Sequence, residues 1–355
     1  MRISGLVQPC WKVTVTAAAV AAALAATACG SGGSVTSAAG KATATTTAAA
    51  ASASPSAGFP LTISNCGQKL TFDAPPARTV SMDQIATEAL LGIGVGKWVV
   101  GTANQAEPIW PTLKAAYDAI PVIGKQGYPS KEQLLSVQPD FVVGNEQAFT
   151  YTGFPSGSNF TRAQLTAMHV NSFTLVCNGQ TVVTQEDLYQ DYTELGKIFG
   201  VPAQAAKFIA TVKAGLAATE GKLAGQAPVD TFFYSGGTGP LGTYGGAQEG
   251  LVLSGGKNLF ASLPPLVGGM PPTVSAEQVI ARNPAAILVE NEGELDPTSP
   301  SIAQEEAYLR KTLATTTAVK NGRFCVTGFY DFGGGLRTVA AVASIAKCLH
   351  PDLHW

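Results

Sequence analysis

Two fifteen-residue stretches of the chain share one rhythm of polar and apolar positions. SKEQLLSVQPDFVVG (Ser130 to Gly144) and SAEQVIARNPAAILV (Ser275 to Val289) align without a gap, 145 positions apart. Ser130 matches Ser275, Glu132 matches Glu277, Gln133 matches Gln278 and Pro139 matches Pro284. In each stretch a serine opens a helical pattern, a proline breaks it, and an apolar run follows, which predicts a short helix and a buried strand. The chain therefore contains one unit twice, with a glutamate near the start of each helix.

The same alternation runs through the rest of the chain from Phe59. LTISNCGQKLTFD (Leu61 to Asp73) predicts a hairpin turning near Gly67. Strand-like RTVSMD, WVVGTA, DFVVG and NSFTLV alternate with helix-like IATEALLGIG, AEPIWPTLKAAYDA (interrupted by Pro111), SKEQLLSVQ and TRAQLTAMH. TQEDLYQDYTELGKIFG adds another helix, and VPAQAAKFIATVKAGLAATEGKLAG is the longest helical pattern, with Pro202 in its first turn. Its apolar positions Ala206, Ile209, Val212, Leu216 and Leu223 recur at helical spacing. Beyond Pro228 the alternation restarts with DTFFYSG, a helix around QEGLVLSGG, the second repeat, a helix near Tyr308 to Val319, the strand FCVTGF and a closing helix from Leu336 to Leu349. The alternation predicts an α/β fold: two lobes, 59–200 and 227–355, each a mostly parallel sheet with helices on both faces, with one long helix over 201–226 between them.

The start of the chain is different in kind. Arg2 and Lys12 precede an apolar and small-residue run from Val13 to Ala28, at about 16 residues too short to span a membrane. It fits an export signal over 1–28. The junction Ala26-Thr27-Ala28-Cys29-Gly30 resembles a bacterial lipobox, in which Cys29 would be lipidated, although that pattern prefers leucine where Ala26 stands. A soluble secreted protein cut near the same place is the alternative. Residues 29–58 are almost only Gly, Ala, Ser and Thr, the composition of a flexible tether.

Composition narrows the function. Hydrophobic residues make up 46% and charged residues 13%, enough for a substantial core under a sparsely charged surface. A net charge of -2 without any basic run argues against a nucleic-acid partner. Export implies an oxidising compartment, and with Cys10 removed and Cys29 lipidated, Cys66, Cys177, Cys325 and Cys348 remain. Four cysteines allow three pairings. The favoured one joins Cys325 to Cys348, closing a strand on the last helix, and Cys66 to Cys177 within the first lobe. A zinc site competes, but there is no C-x-x-C spacing, and His169, His350 and His354 are poorly placed for one.

Several lines of the chain together resemble the receptors of bacterial ABC importers for ferric siderophores, cobalamin and heme. These are FDAPPARTVSMDQIATEALLGIGV, YPSKEQLLSVQPDFVVG, DYTELGKIFGV, VSAEQVIARNPAAILV and the tail NGRF…GLRTVAAVASIAKCLHPD, spread from about Pro60 to the C-terminus. The resemblance implies two doubly wound sheet lobes linked by one long rigid α-helix with a ligand cleft between the lobes, in a lipid-anchored receptor outside the cytoplasm, working as a monomer that captures a small metal chelate and hands it to ABC permease subunits. It also implies that Glu132 and Glu277 dock the two lobes onto arginine pockets of the permease. Read from the residues alone, Ser130 and Ser275 cap helices whose N-termini favour a glutamate, and both readings are compatible.

Ligand contacts are expected where the loops at strand C-termini converge. On the first lobe these are Ser81 to Gln84, Lys125 to Tyr128 and Asn145 to Gln147, with Asp83, Gln84, Trp110, Tyr128 and Asn145 as candidate contacts. On the second they are Tyr234 to Tyr244, Glu290 to Glu292, and Tyr330 to Phe332 leading to Arg337, with Tyr234, Tyr244, Glu290, Tyr330 and Arg337 as candidates. The tyrosines offer flat, partly polar surfaces suited to a bulky chelate, and Arg337 could meet a ligand carboxylate. Each aromatic taken singly reads as core or surface before ligand contact, so the loops carry this expectation.

Other chemistry finds less support. Gly237-Thr-Gly239-Pro-Leu-Gly242 fits G-x-G-x-x-G, but Pro240 and the following Tyr-Gly-Gly are not a helix start, so a cleft loop is expected. Asp331-Phe332-Gly333 copies a kinase trio without its partners. No G-x-S-x-G elbow occurs and no nucleophile partners His169. No enzymatic activity, cofactor or protein-held metal is expected, and three histidines point to a metal arriving already chelated, a ferric siderophore first. Cobalamin or heme is the alternative ligand; an exported enzyme and a ligand sensor are the alternative classes.

Overall fold

The computed structural model describes residues 58–105, 107–125, 127–150, 160–177, 184–236, 240–244, 248–264, 272–291 and 299–355. The expected export signal, Cys29 and all of the tether except Gly58 lie outside these residues. The chain then forms the expected hairpin of β1 (Leu61–Asn65) and β2 (Gln68–Phe72), with Cys66 and Gly67 at φ 48° and 73° in its turn. Next come β3 (Thr79–Ser81), α1 (Gln84–Gly92), β4 (Val99–Ala103), α2 (Lys114–Tyr117), β5 (Val122–Gly124) and α3 (Lys131–Ser136). β6 (Phe141–Gly144), α4 (Glu146–Thr150), α5 (Arg162–Ala167), β7 (Asn171–Thr174) and α6 (Gln185–Ile198) complete the N-terminal lobe. Its sheet is wholly parallel in the order β5-β4-β3-β6-β7.

After α7 (Pro202–Leu223) come β8 (Val229–Ser235), β9 (Leu241–Thr243), α8 (Glu249–Leu253), β10 (Gly256–Asn258) and β11 (Thr273–Val274). α9 (Ala276–Arg282), β12 (Ala286–Asn291), α10 (Ile302–Thr312), α11 (Thr317–Lys320), β13 (Phe324–Gly328) and α12 (Gly335–Leu349) close the chain. The second sheet runs β11-β9-β8-β12-β13, with β10 also on β8; β9 is antiparallel to both its neighbours and the other pairs are parallel.

Both sheets are covered on both faces, as the apolar runs require. Successive side chains of a strand point to opposite faces. Phe141 and Val143 of β6 therefore join a core with Leu90 and Leu195, while Val142 joins Leu134 and Leu165 on the other side. In the second lobe Ile287 and Val289 pack with Val279 and Leu309, and Ala286 and Leu288 with Ile345 and Leu349. The sequence repeat is a structural repeat: β6 pairs with β3 as β12 pairs with β8. Each preceding helix stops at a left-handed residue, Gln138 or Asn283, both at φ 46°, immediately before its proline.

Three local expectations change. The helical stretch around Pro111 reduces to α2. The single helix expected over Tyr308 to Val319 is two: a Ser301–Gln304 capping box starts α10 earlier, and Thr316 caps a separate α11. The 22 residues of α7 extend about 33 Å at 1.5 Å each. Its buried stripe is Ala205, Phe208, Val212, Leu216 and Thr219, one position round from Ala206 and Ile209. Phe208 turns inward because its ring fits the space over Gly92 and against Tyr192.

The disulfides pair Cys66 with Cys177 and Cys325 with Cys348, at Cα separations of 4.8 and 5.7 Å. The first joins the hairpin to the end of β7, where the Asn65 side chain also hydrogen-bonds both backbone groups of Thr174. The second ties β13 to α12. The bridges span 111 and 23 residues. Loop-closure entropy makes replacing each pair by serine cost about 5 and about 3 kcal/mol respectively. Urea unfolding of the two double variants should show the larger loss for Cys66/Cys177.

Asp191 of α6 holds the same segment by accepting the Val176 N–H at 2.7 Å. Burial, with help from Glu194 and Asp187, pushes its carboxyl up from 3.8 to about 7. Between those values the folded state holds a proton that the unfolded state has lost, so stability falls as pH rises, by up to about 1.4 kcal/mol per unit. Asp191→Asn keeps an acceptor and removes the titration. Unfolding free energies measured from pH 4.5 to 8 should therefore flatten in the variant and exceed wild type at pH 8.

Candidate functional site

The first lobe's sheet reverses its order between β3 and β6, so a crevice opens at their C-terminal ends, the usual ligand position in open α/β sheets. Asp83 sits there and does two jobs. One carboxylate oxygen caps α1 by accepting the Ala86 N–H at 2.9 Å, and the other accepts the Asn145 N–H at 2.6 Å, joining the ends of both strands. Asp83 is fully buried, and this desolvation raises its carboxyl pKa against the lowering by its backbone donors.

Tyr128 donates to Asn145 Oδ1 at 3.4 Å and is 4% exposed; Tyr330 reaches the same place from the second lobe and is 5% exposed. Burial first, then the Asp83 charge, holds both phenols well above their ordinary pKa, while the Asn104 side chain hydrogen-bonds each of them. Four expected residues, Asp83, Tyr128, Asn145 and Tyr330, thus meet at one point between the lobes. Asn104, at the end of β4 with φ 48°, belongs with them although sequence reading passed over it. Its signal was its place after a strand C-terminus.

Arg337 lies nearby, 8% exposed, in the first turn of α12. Instead of facing open space it forks onto Glu88 of α1, with Nε and Nη2 at 3.1 and 2.6 Å from its two oxygens. Nη1 donates to Glu107 at 2.8 Å and Nη2 to the Pro108 carbonyl at 2.6 Å, all across the lobe boundary. Glu107 in turn accepts the Tyr330 N–H at 3.2 Å, and its carboxyl is pushed up by burial despite Arg337. Gln84 accepts the Glu107 N–H at 2.9 Å, and the half-buried Trp110 donates its backbone N–H to Glu88 at 3.0 Å. Of these residues expected to meet a ligand, Arg337 here holds the two lobes together, while Gln84 and Trp110 position within the first lobe the carboxylates that receive it. A second contact between lobes has the Gln185 N–H at the start of α6 donating to Glu249 of α8.

The second lobe brings Tyr244 and Glu290 together: the hydroxyl lies 2.9 and 2.8 Å from the carboxylate oxygens at the end of β12. Tyr234 departs from expectation. It is fully buried in the second lobe's core with its ring 6.0 Å from Phe232, because all of the C-terminal half of β8 is covered. Of the expected loops, Gln126, Gly237 to Gly239 and Glu292 lie outside the described residues, as does the Gln147 side chain. The segment after Gly239 is β9, a strand, which a dinucleotide turn would not supply.

Glu132 and Glu277 are exposed in the first turns of α3 and α9. Capping boxes of Ser130 with Gln133 and Ser275 with Gln278 fix both turns. Each glutamate's own backbone N–H, then the serine hydroxyl, lowers its carboxyl pKa. Among the described residues no group of His, Cys, Asp or Glu is arranged to hold a metal ion, and no helix is long and apolar enough to cross a membrane.

Residues 80–330 match the family described as periplasmic binding protein, and the chain belongs to that family of substrate-binding proteins. A periplasmic binding protein from Veillonella parvula is 29% identical at a TM-score of 0.71, covering 82% of this chain and 97% of its own. The ABC-type Fe3+-hydroxamate transport system structure from Saccharomonospora viridis is 25% identical at a TM-score of 0.63, over 82% of this chain and 99% of its own. A periplasmic heme-binding protein from Pseudomonas aeruginosa, 23% identical at a TM-score of 0.59 over 79% and 94%, shares the fold. No curated protein matches the sequence significantly.

Replacing Arg337 by methionine leaves two carboxylates buried without their cation. Urea unfolding at neutral pH should show a loss of about 3–5 kcal/mol. Adding Glu88→Gln and Glu107→Gln to that variant should recover much of it, because the uncompensated charge is then gone.

Proposed function

We propose that the protein captures a ferric siderophore outside the cytoplasm and delivers it to the permease of an ABC importer, tethered to the outer face of the cell membrane by lipid on Cys29. The observation that carries this reading is where the imidazoles stand. His169 lies on the turn before β7, His350 caps the C-terminus of α12 beside Gly255, and His354 follows it. All three are at the strand ends opposite the cleft, which offers phenols, amides and carboxylates instead. A bare zinc ion would find few of its preferred nitrogen and sulfur ligands there. A ferric chelate arrives with its coordination complete and needs hydrogen bonds and flat surface.

Tyr128 and Tyr330 suit that task because a protonated phenol can donate to a chelate oxygen, and the burial that raises both pKa values favours that neutral form. The likeness to the Fe3+-hydroxamate transport structure supports the same ligand class. The protein makes and breaks no bonds: the lobes part slightly to expose the phenols, close on the chelate, and dock. Glu132 and Glu277, exposed on helix ends fixed by capping boxes, present one charge per lobe to the permease. Such charges govern orientation and encounter more than affinity. The receptor works as a monomer and needs no cofactor.

Tyrosine and tryptophan fluorescence of the purified protein tests the ligand. A ferric trihydroxamate is expected to quench it saturably, and ferric catecholates, cobalamin and heme complete the series. Saturable quenching by heme or cobalamin alone would reassign the ligand, and silence toward every ferric chelate would sink the iron reading.

A further inference from the structure

Each exposed glutamate has an exposed aliphatic neighbour at the same offset. Leu135 and Ile280 stand three residues after Glu132 and Glu277 and are 36% and 37% exposed. Residues three apart lie on one face of a helix, so each pair forms a single patch. Leu134 and Val279, one position earlier, are fully buried and anchor α3 and α9 to their sheets. The helices therefore already have their core residue, and packing does not account for the second aliphatic.

Single exposed aliphatics are ordinary on protein surfaces. Among the described residues the large exposed hydrophobics are Val122, Leu135, Val252, Ile280 and Val326. Two of these fall on one position of the repeat, in different lobes, with different residue types and with a glutamate one turn away each time. A partner that meets both must itself offer two like sites, and the carboxylates require those sites to be cationic.

We propose that Glu132 with Leu135 and Glu277 with Ile280 are two matched docking patches for a membrane partner built of two like subunits. Each subunit would offer a cationic pocket with an apolar rim. The inference rests on the docking role given above to the glutamates and assigns a separate role to the aliphatics. The carboxylate steers the approach, an effect that salt screens. The aliphatic covers the ion pair once formed and excludes water from it, which slows departure.

The test measures binding of the full-length protein to the permease–ATPase complex of its own organism in lipid nanodiscs, at low and high salt. Glu132→Gln/Glu277→Gln is expected to slow association and remove most of its salt dependence. Leu135→Gln/Ile280→Gln should leave association within about twofold and speed dissociation about tenfold. Leu135→Ala/Ile280→Ala should fall between, and Leu135→Met/Ile280→Met should match wild type. Val252→Gln/Val326→Gln is the control for exposed aliphatics elsewhere. A Leu135→Gln/Ile280→Gln protein that dissociates like this control overturns the patch while leaving the glutamate docking intact. Unchanged kinetics in the glutamate variant as well overturns the docking reading itself. Equal binding to nanodiscs lacking the permease, or a dimer in sedimentation that only the aliphatic variants lose, would assign the surface to lipid or to a second copy and also overturn the proposal.

Discussion

One buried guanidinium holds the cleft in its present form. A charge as sheltered as that of Arg337 is tolerable only where carboxylates and carbonyls replace its water, and every hydrogen bond its guanidinium donates goes to the other lobe, with Asp331 of its own lobe a more distant 3.8 Å away. Arginine suits this place better than lysine, because its planar fork engages both oxygens of Glu88 while a further nitrogen reaches Glu107. The consequences pass outward through the carboxylates. Glu88 fixes the backbone of Trp110, Glu107 receives the backbone of Tyr330, and Gln84 steadies both. The phenol of Tyr330 reaches the first lobe because this cluster brings its backbone there.

Asp83 plays the matching part within the first lobe. Its two oxygens join α1 to the end of β6, so the polar residues beneath the cleft sit on the most rigid part of the parallel sheet. The glycines of the strap between β13 and α12 let the second lobe come this close. Gly334, at φ 108°, lies so near the Tyr192 hydroxyl that a β-carbon there would stand 2.4 Å from it. A small, left-handed residue is what that crossing requires.

Much of this was legible in the sequence. The repeat gave the two lobes, the alternation gave their sheets, and the left-handed stops at Gln138 and Asn283 sit where the prolines announced a break. The favoured disulfide pairing was legible too, and so were the loops at strand C-termini that carry Asp83, Tyr128, Asn145 and Tyr330. What escaped was long-range pairing. Glu88 lies mid-helix and 249 positions from Arg337, and nothing local marks it as a partner. Tyr234 was misplaced because a strand buried on both faces shows no alternation to tell core from cleft. The stripe of α7 turned by one position because Gly92 and Tyr192, distant in sequence, decide where Phe208 fits.

α7 and α12 lie side by side, close enough that a β-carbon on Gly215 would stand 2.5 Å from Val339. With Arg337 clamped at the head of α12, the lobes are joined by two adjacent struts rather than one hinge. Parting the lobes would have to disturb this packing and the Arg337 clamp together, so the movement open to them is a short slide of packed helices and not a wide swing.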